Sequence, residues 1–159
     1  MSYPEPLQDL LDTFATFDDP SERAQVLISF ADAFQPVPPD VATRPFGKDH
    51  LVPACESEAY VWARLQPDGT MKLYFAVENP SGISAKALAT MLTKTLSGLT
   101  PAEIATVSPE IVEGLFRQNI SMGKGMGLMS MVGAVRTLAQ RAQRIDRNPA
   151  PAAAPRTNG

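Results

Sequence analysis

The chain opens with Leu7, Leu10, Leu11, Phe14 and Phe17, spaced by threes and fours, which predicts an amphipathic helix. Asp19-Pro20 reads as an N-cap with proline at the first helical position. A second helix follows, with Ala24, Val26, Leu27, Phe30, Ala31 and Phe34 on its apolar side. It must end by Gln35, because Pro36, Pro38 and Pro39 cannot continue it. From Pro36 to Ala54 no period is found, and so long a connection inside a compact domain is usually functional or mobile.

The pattern then changes to period two. Ala59, Val61, Ala63 and Leu65 alternate with Glu58, Tyr60, Trp62 and Arg64. Pro67-Asp68-Gly69 is a turn, and Met71, Leu73, Phe75 and Val77 alternate in their turn. A hairpin with strands over about 56–66 and 70–78 is expected. Asn79-Pro80-Ser81-Gly82 breaks it, and a helix carries Leu88, Met91, Leu92 and Leu96, with Gly98 at its C-terminal end. Thr100-Pro101-Ala102-Glu103 fits a capping box, and Ser108-Pro109-Glu110 starts another short helix. Gln118 to Ser121 is expected to be a short strand, and Gly123 to Gly127 a pliable turn. Leu128, Met131, Val132, Val135, Leu138, Ala139, Ala142 and Ile145 mark the last helix. Residues 147–159 are Pro/Ala-rich and expected to be a disordered tail beyond a domain at 1–146. Helices flanking a small antiparallel sheet define an α+β chain, and two strands alone are marginal, so a third strand or helix packing must complete the sheet.

The 159 residues suit one domain, and 44% apolar with 19% charged residues can bury a core. A net charge of -3 argues against broad electrostatic binding to nucleic acid or anionic lipid. No apolar run approaches the roughly 18 residues of a membrane helix. The first thirty residues lack a basic start followed by an apolar stretch, so a cytoplasmic address is expected. One cysteine and one histidine exclude an intrachain disulfide and a four-ligand structural zinc site from this chain's own Cys and His. One cysteine also cannot hold an iron–sulfur cluster on its own thiolates. No cofactor is expected.

Cys55 follows the proline-rich connection and precedes polar Glu56, Ser57 and Glu58, so it lies outside any apolar stripe. It reads either as an inert, half-buried thiol at a strand start or as a reactive thiolate, which needs a nearby cation or helix N-terminus. Arg44, Lys48, His50 and Lys124 are the candidate cations. A Cys55–His50 pair for acyl transfer lacks an evident third, orienting residue. Gly123 to Gly127 lacks the spacing of a P-loop, although a basic residue at a helix start can hold an anion. Arg136, Arg141, Arg144 and Arg147 read as a solvated face, or else as a docking surface. Tyr60 and Trp62 read as core, packed under a helix.

The string Leu51-Val52-Pro53-Ala54-Cys55-Glu56-Ser57-Glu58-Ala59-Tyr60-Val61 resembles the signature of the SufE family, in which a cysteine followed two residues later by serine opens a strand. KTLSGLTPAE, from Lys94 to Glu103, resembles the family's helix, glycine and second helix start. Lys124 to Leu138 resembles its closing stretch, where a basic residue and then Gly-Leu enter the last helix. The resemblance runs from about Leu7 to Ile145. Alanine stands at 54 where the family often has glycine, lysine at 124 where it often has arginine, and His50 near where it often has asparagine. Met122-Gly123 replaces the usual Ser-Pro.

The resemblance implies a fold similar to the scaffold protein IscU, with a three-stranded antiparallel sheet, Gln118 to Ser121 being the third strand. It implies a non-enzymatic sulfur acceptor. Cys55 would take persulfide sulfur from a SufS-like, pyridoxal-phosphate-dependent cysteine desulfurase, stimulate that enzyme, and deliver sulfur to a SufBCD-like iron–sulfur scaffold. Lys124, His50 and Lys48 would border the docking surface around Cys55. An iron–sulfur scaffold-like protein, or an interaction module with an inert cysteine, are the alternatives.

Overall fold

In the computed structural model, which describes residues 3–147, the order is helix α1 (Glu5–Ala15), α2 (Pro20–Asp32), strands β1 (Ala59–Leu65) and β2 (Met71–Val77), then α3 (Ile83–Leu96), α4 (Pro101–Ile104), α5 (Ile111–Phe116) and α6 (Met122–Arg147). The α+β class is as expected. The tail expected at 147–159 lies, but for the backbone of Arg147, outside the described residues.

The local signals hold where a side chain enforces them. Asp19 accepts from the Ser21 N–H at 2.9 Å and starts α2. Thr100 and Glu103 close a reciprocal capping box ahead of α4, with Pro101 in its first turn. Gly98 takes φ +91° just beyond α3, a backbone that glycine adopts freely.

The sheet has two strands, not three. Ala59 pairs with Val77, Val61 with Phe75 and Leu65 with Met71 in an antiparallel ladder. The expected third strand at Gln118–Ser121 is absent: Arg117–Asn119 is a single 3-10 turn, and Asn119 Nδ2 donates to the Pro20 carbonyl of α2 rather than to the sheet. Five residues between two helices, three of them in a 3-10 turn, leave no length for a strand, and Arg117, at φ +46°, turns the chain directly from α5 toward α6.

The hairpin's open edges are closed piecemeal instead. Outside β1, the Val52 N–H donates to the Ala59 carbonyl, and His50 Nδ1 lies 3.1 Å from the Val61 carbonyl. Outside β2, the Met71 N–H donates to Leu99 O, the Leu73 N–H to Ser97 Oγ, and the Val37 N–H to Phe75 O. Isolated bridges replace a strand that would otherwise blunt an exposed edge.

One face of the hairpin lies against α3 and α6, and Ala59, Val61, Met71, Leu73 and Phe75 join the main core there. The other face is covered by the unpatterned connection, not by a helix. Val37 packs with Trp62 and Ala76, while the Phe46 ring meets Trp62 at 5.1 Å and Tyr60 at 5.2 Å. His50 stacks on Trp62 at 5.2 Å. The connection's length is thus spent on roofing a sheet face.

Arg23 is the least legible core residue. It is 2% exposed and shares the buried stripe of α2 with Leu27 and Ala31. Its guanidinium donates to the carbonyls of Phe14, Phe17, Gly114 and Leu115, closing the C-terminal ends of α1 and α5 together. Burial, with Arg117 nearby, holds it below its usual pKa.

Candidate functional site

Cys55 stands on a loop of two successive turns between the edge residue Val52 and β1. The Glu58 N–H donates to the Cys55 carbonyl, and the Asn79 N–H to the Ser57 carbonyl, so the loop is tied both to itself and to the exit of β2. Ala54 and Glu58, on either side of the cysteine, have φ of +57° and +51°. Both are non-glycine residues in the left-handed region, which stores strain at the loop. The glycine often found in the family at position 54 has its physical reason here.

The loop is gripped from two helix starts. At Gly82, the N-cap of α3, an added Cβ would stand 3.1 Å from Ser57 Cβ. At Gly127, in α6, it would stand 3.2 Å from the Ala54 carbonyl oxygen and 3.3 Å from Cys55 Cα. Ser130, one turn later, donates its hydroxyl to the Pro53 carbonyl. Gly123 to Gly127, expected to be a pliable turn, are helical: α6 begins at Met122, and Ser121 Oγ accepts from the Lys124 N–H as its cap. Glycine at 127 serves close approach there rather than pliability.

Cys55, half-buried, lines a cavity of about 320 Å³. Its wall carries Ser84 from the first turn of α3, Gly123 and Lys124 from the first turn of α6, and the polar side chains of Ser57, Asn79 and Ser81. Two helix N-termini therefore border one thiol, each the positive end of a helix dipole. Lys124 adds a full positive charge to the same wall, and Glu56 is the one carboxylate on it.

The three residues singled out from sequence do not converge. Cys55 and Lys124 share this cavity. His50 lines a second one, of about 380 Å³, between the 49–53 segment and the middle of α6, with Thr137 and Arg141 on its far wall. Lys48 is exposed on the 3-10 turn Lys48–His50, and Arg44 is engaged by Glu78 at 2.8 Å. Ser130 and Ser84 were not singled out by sequence reasoning, and Gly127 entered only as the glycine of the Gly-Leu pair in the family's closing stretch.

The family model for SufE, the Fe–S metabolism associated domain, matches residues 8–139. The chain belongs to the SufE family. It is 27% identical over 131 residues to SufE-like protein 1, chloroplastic/mitochondrial, of Arabidopsis thaliana, a match that covers 81% of this chain. This chain spans about a third of that relative's length (33%). Among solved structures it is similar to a hypothetical protein from Thermus thermophilus determined in solution, with a TM-score of 0.74 and 25% identity over 90% of this chain and 99% of that one. The family ties the chain to iron–sulfur metabolism. Among the described residues, no helix is long and apolar enough to cross a membrane.

Proposed function

We infer that this protein accepts and carries sulfur for iron–sulfur cluster assembly, with Cys55 as the acceptor and a cysteine desulfurase as the donor. The observation that carries this reading is the setting of the chain's single thiol. It lines a cavity of about 320 Å³ together with Lys124 and the N-terminal turns of α3 and α6, on the loop whose sequence matches the family signature.

The chemistry is thiol exchange. The Cys55 thiolate attacks the outer sulfur of the desulfurase persulfide. A new S–S bond forms on Cys55, the donor's S–S bond breaks, and the donor cysteine leaves as its thiolate. No external oxidant or reductant enters. The product is a persulfide on Cys55, which the half-buried setting shelters from stray thiols. The chain has one cysteine, so no internal thiol can resolve that persulfide to a disulfide and release sulfide. A scaffold thiol repeats the same exchange to take the sulfur onward. The protein acts in this scheme as partner and activator of the desulfurase, not as an enzyme by itself.

The test is desulfurase turnover of cysteine with and without this protein, in the presence of a reductant that discharges the persulfide. The wild type raises turnover and Cys55→Ser does not. Normal stimulation by Cys55→Ser would remove Cys55 from the reaction.

A further inference from the structure

Four glycines lie in the first half of α6, at 123, 125, 127 and 133. A glycine inside a helix weakens it relative to alanine, so each invites a reason. Gly123 and Gly133 have open space where a Cβ would stand. Gly125 would meet the flexible tip of Ile120 at 3.4 Å. Gly127 alone of the four faces backbone, with the Ala54 carbonyl oxygen at 3.2 Å and Cys55 Cα at 3.3 Å from its Cβ position. Neither atom can swing aside as a side-chain end does. Cys55 is bounded by left-handed Ala54 on one side and by its own turn to Glu58 on the other. Three residues along, on the neighbouring position of the same helix face, Ser130 donates to the Pro53 carbonyl.

We propose that Gly127 and Ser130 are positioning residues that hold the Cys55 thiol at a set distance from α6, and therefore from Lys124 one turn earlier on that helix. This rests on the reading of Cys55 as the sulfur acceptor. Pro53, Ala54 and Cys55 lie against a helix face with no side chain at 127 to keep them off, and the Ser130 hydroxyl fastens them there. A Cβ at 127 forces the loop away by a few tenths of an ångström. Lys124 moves with the helix and the thiol moves with the loop, so the separation between them changes. Misplacing a reacting group by 1 Å costs up to about 10²-fold in rate, so the smaller displacement is expected to cost about ten-fold.

Gly133 supplies the control, since its added Cβ meets nothing within 4 Å. Gly133→Ala is expected to raise the melting temperature and to leave the pH–rate profile of Cys55 alkylation by iodoacetamide unchanged. Gly127→Ala is expected to keep a folded circular dichroism spectrum, to displace that alkylation profile, and to lower the rate constant of sulfur loading from a cysteine desulfurase about ten-fold. Ser130→Ala should move both readouts in the same direction, and Ser130→Thr, which keeps the hydroxyl, should restore them. Those two variants decide the matter if Gly127→Ala does not fold. An alkylation profile for Gly127→Ala, or in its place Ser130→Ala, that overlays the wild type would overturn the inference. If the wild type takes no sulfur from the desulfurase, the proposed function fails instead, and the alkylation arm still decides whether these residues place the thiol.

Discussion

Lys124 and Cys55 wall one cavity, although one lies in the first turn of the last helix and the other on the loop ahead of β1. The ammonium is exposed to solvent, so its effect on the thiol is that of a screened surface charge. Lys124→Ala is expected to slow alkylation of Cys55 at neutral pH about two- to five-fold, and to slow sulfur loading to a similar degree. The difference should shrink as salt rises. Rates that match the wild type at low salt would remove Lys124 from the site.

The left-handed backbone of Ala54 predicts a stability gain from one substitution. At φ +57° a Cβ is unfavourable by about 1–2 kcal/mol, whereas glycine has no such cost. Glycine also loses more conformational freedom on folding. Ala54→Gly should therefore raise stability by up to about 1 kcal/mol, measured as a shift in the urea midpoint at constant slope. A loss of stability would show that the loop does not hold that backbone.

Arg23 predicts the largest loss. Its removal takes the guanidinium donor from the carbonyls of Phe17, Gly114 and Leu115, which are buried or partly buried, and leaves Phe14 O with only a backbone N–H from the end of α1. Each orphaned buried group costs about 1–3 kcal/mol, part of which relaxation recovers. Arg23→Ala is expected to cost about 3–5 kcal/mol, read by chemical denaturation. Arg23→Lys should recover only part of this, because an ammonium cannot span both helix ends as the planar fork does. A cost like that of an ordinary surface substitution would contradict the geometry.

Arg44 and Glu78 predict a pH dependence. The hydrogen bonds from Arg44 hold the Glu78 carboxyl below its usual pKa. The pair's contribution is complete above the unfolded-chain value of about 4.3, and it is lost as pH falls through the lower folded value. The melting-temperature difference between wild type and Arg44→Gln should be present at about pH 7 and close by about pH 3. A difference that persists in acid would point to the stacking of Arg44 on Phe46, 5.6 Å from the ring centre, rather than to the ion pair.

The hairpin and α6 were legible because their apolar positions keep one period over many residues, from Ala59 to Val77 and from Leu128 to Ala142. The caps at Asp19 and Thr100 were legible because they act through near neighbours. What escaped depends on contacts between distant segments. Arg23 falls four residues before Leu27 on the buried stripe of α2, yet its charge argues for the surface until four carbonyls are known to converge on it. The third strand was inferred from the need to complete the sheet, but hydrogen bonds donated by Val37 and Val52 and accepted by Ser97 and Leu99, with α3 and α6 packed on one face, meet that need. At the site, Cys55 stood out by its polar surroundings and Lys124 by its place at a helix start. His50 stood near in sequence and faces a different cavity, because its ring stacks on Trp62. Gly127 reads in sequence as freedom and in the structure as contact.

The most direct test of the account is the intact mass of the protein after incubation with a cysteine desulfurase, pyridoxal phosphate and cysteine. The account predicts a reductant-labile gain of about 32 Da, one sulfur on one thiol, in the wild type and none in Cys55→Ser. A gain that survives in Cys55→Ser, or a wild type that gains nothing from desulfurases that load other SufE-family proteins, would contradict it.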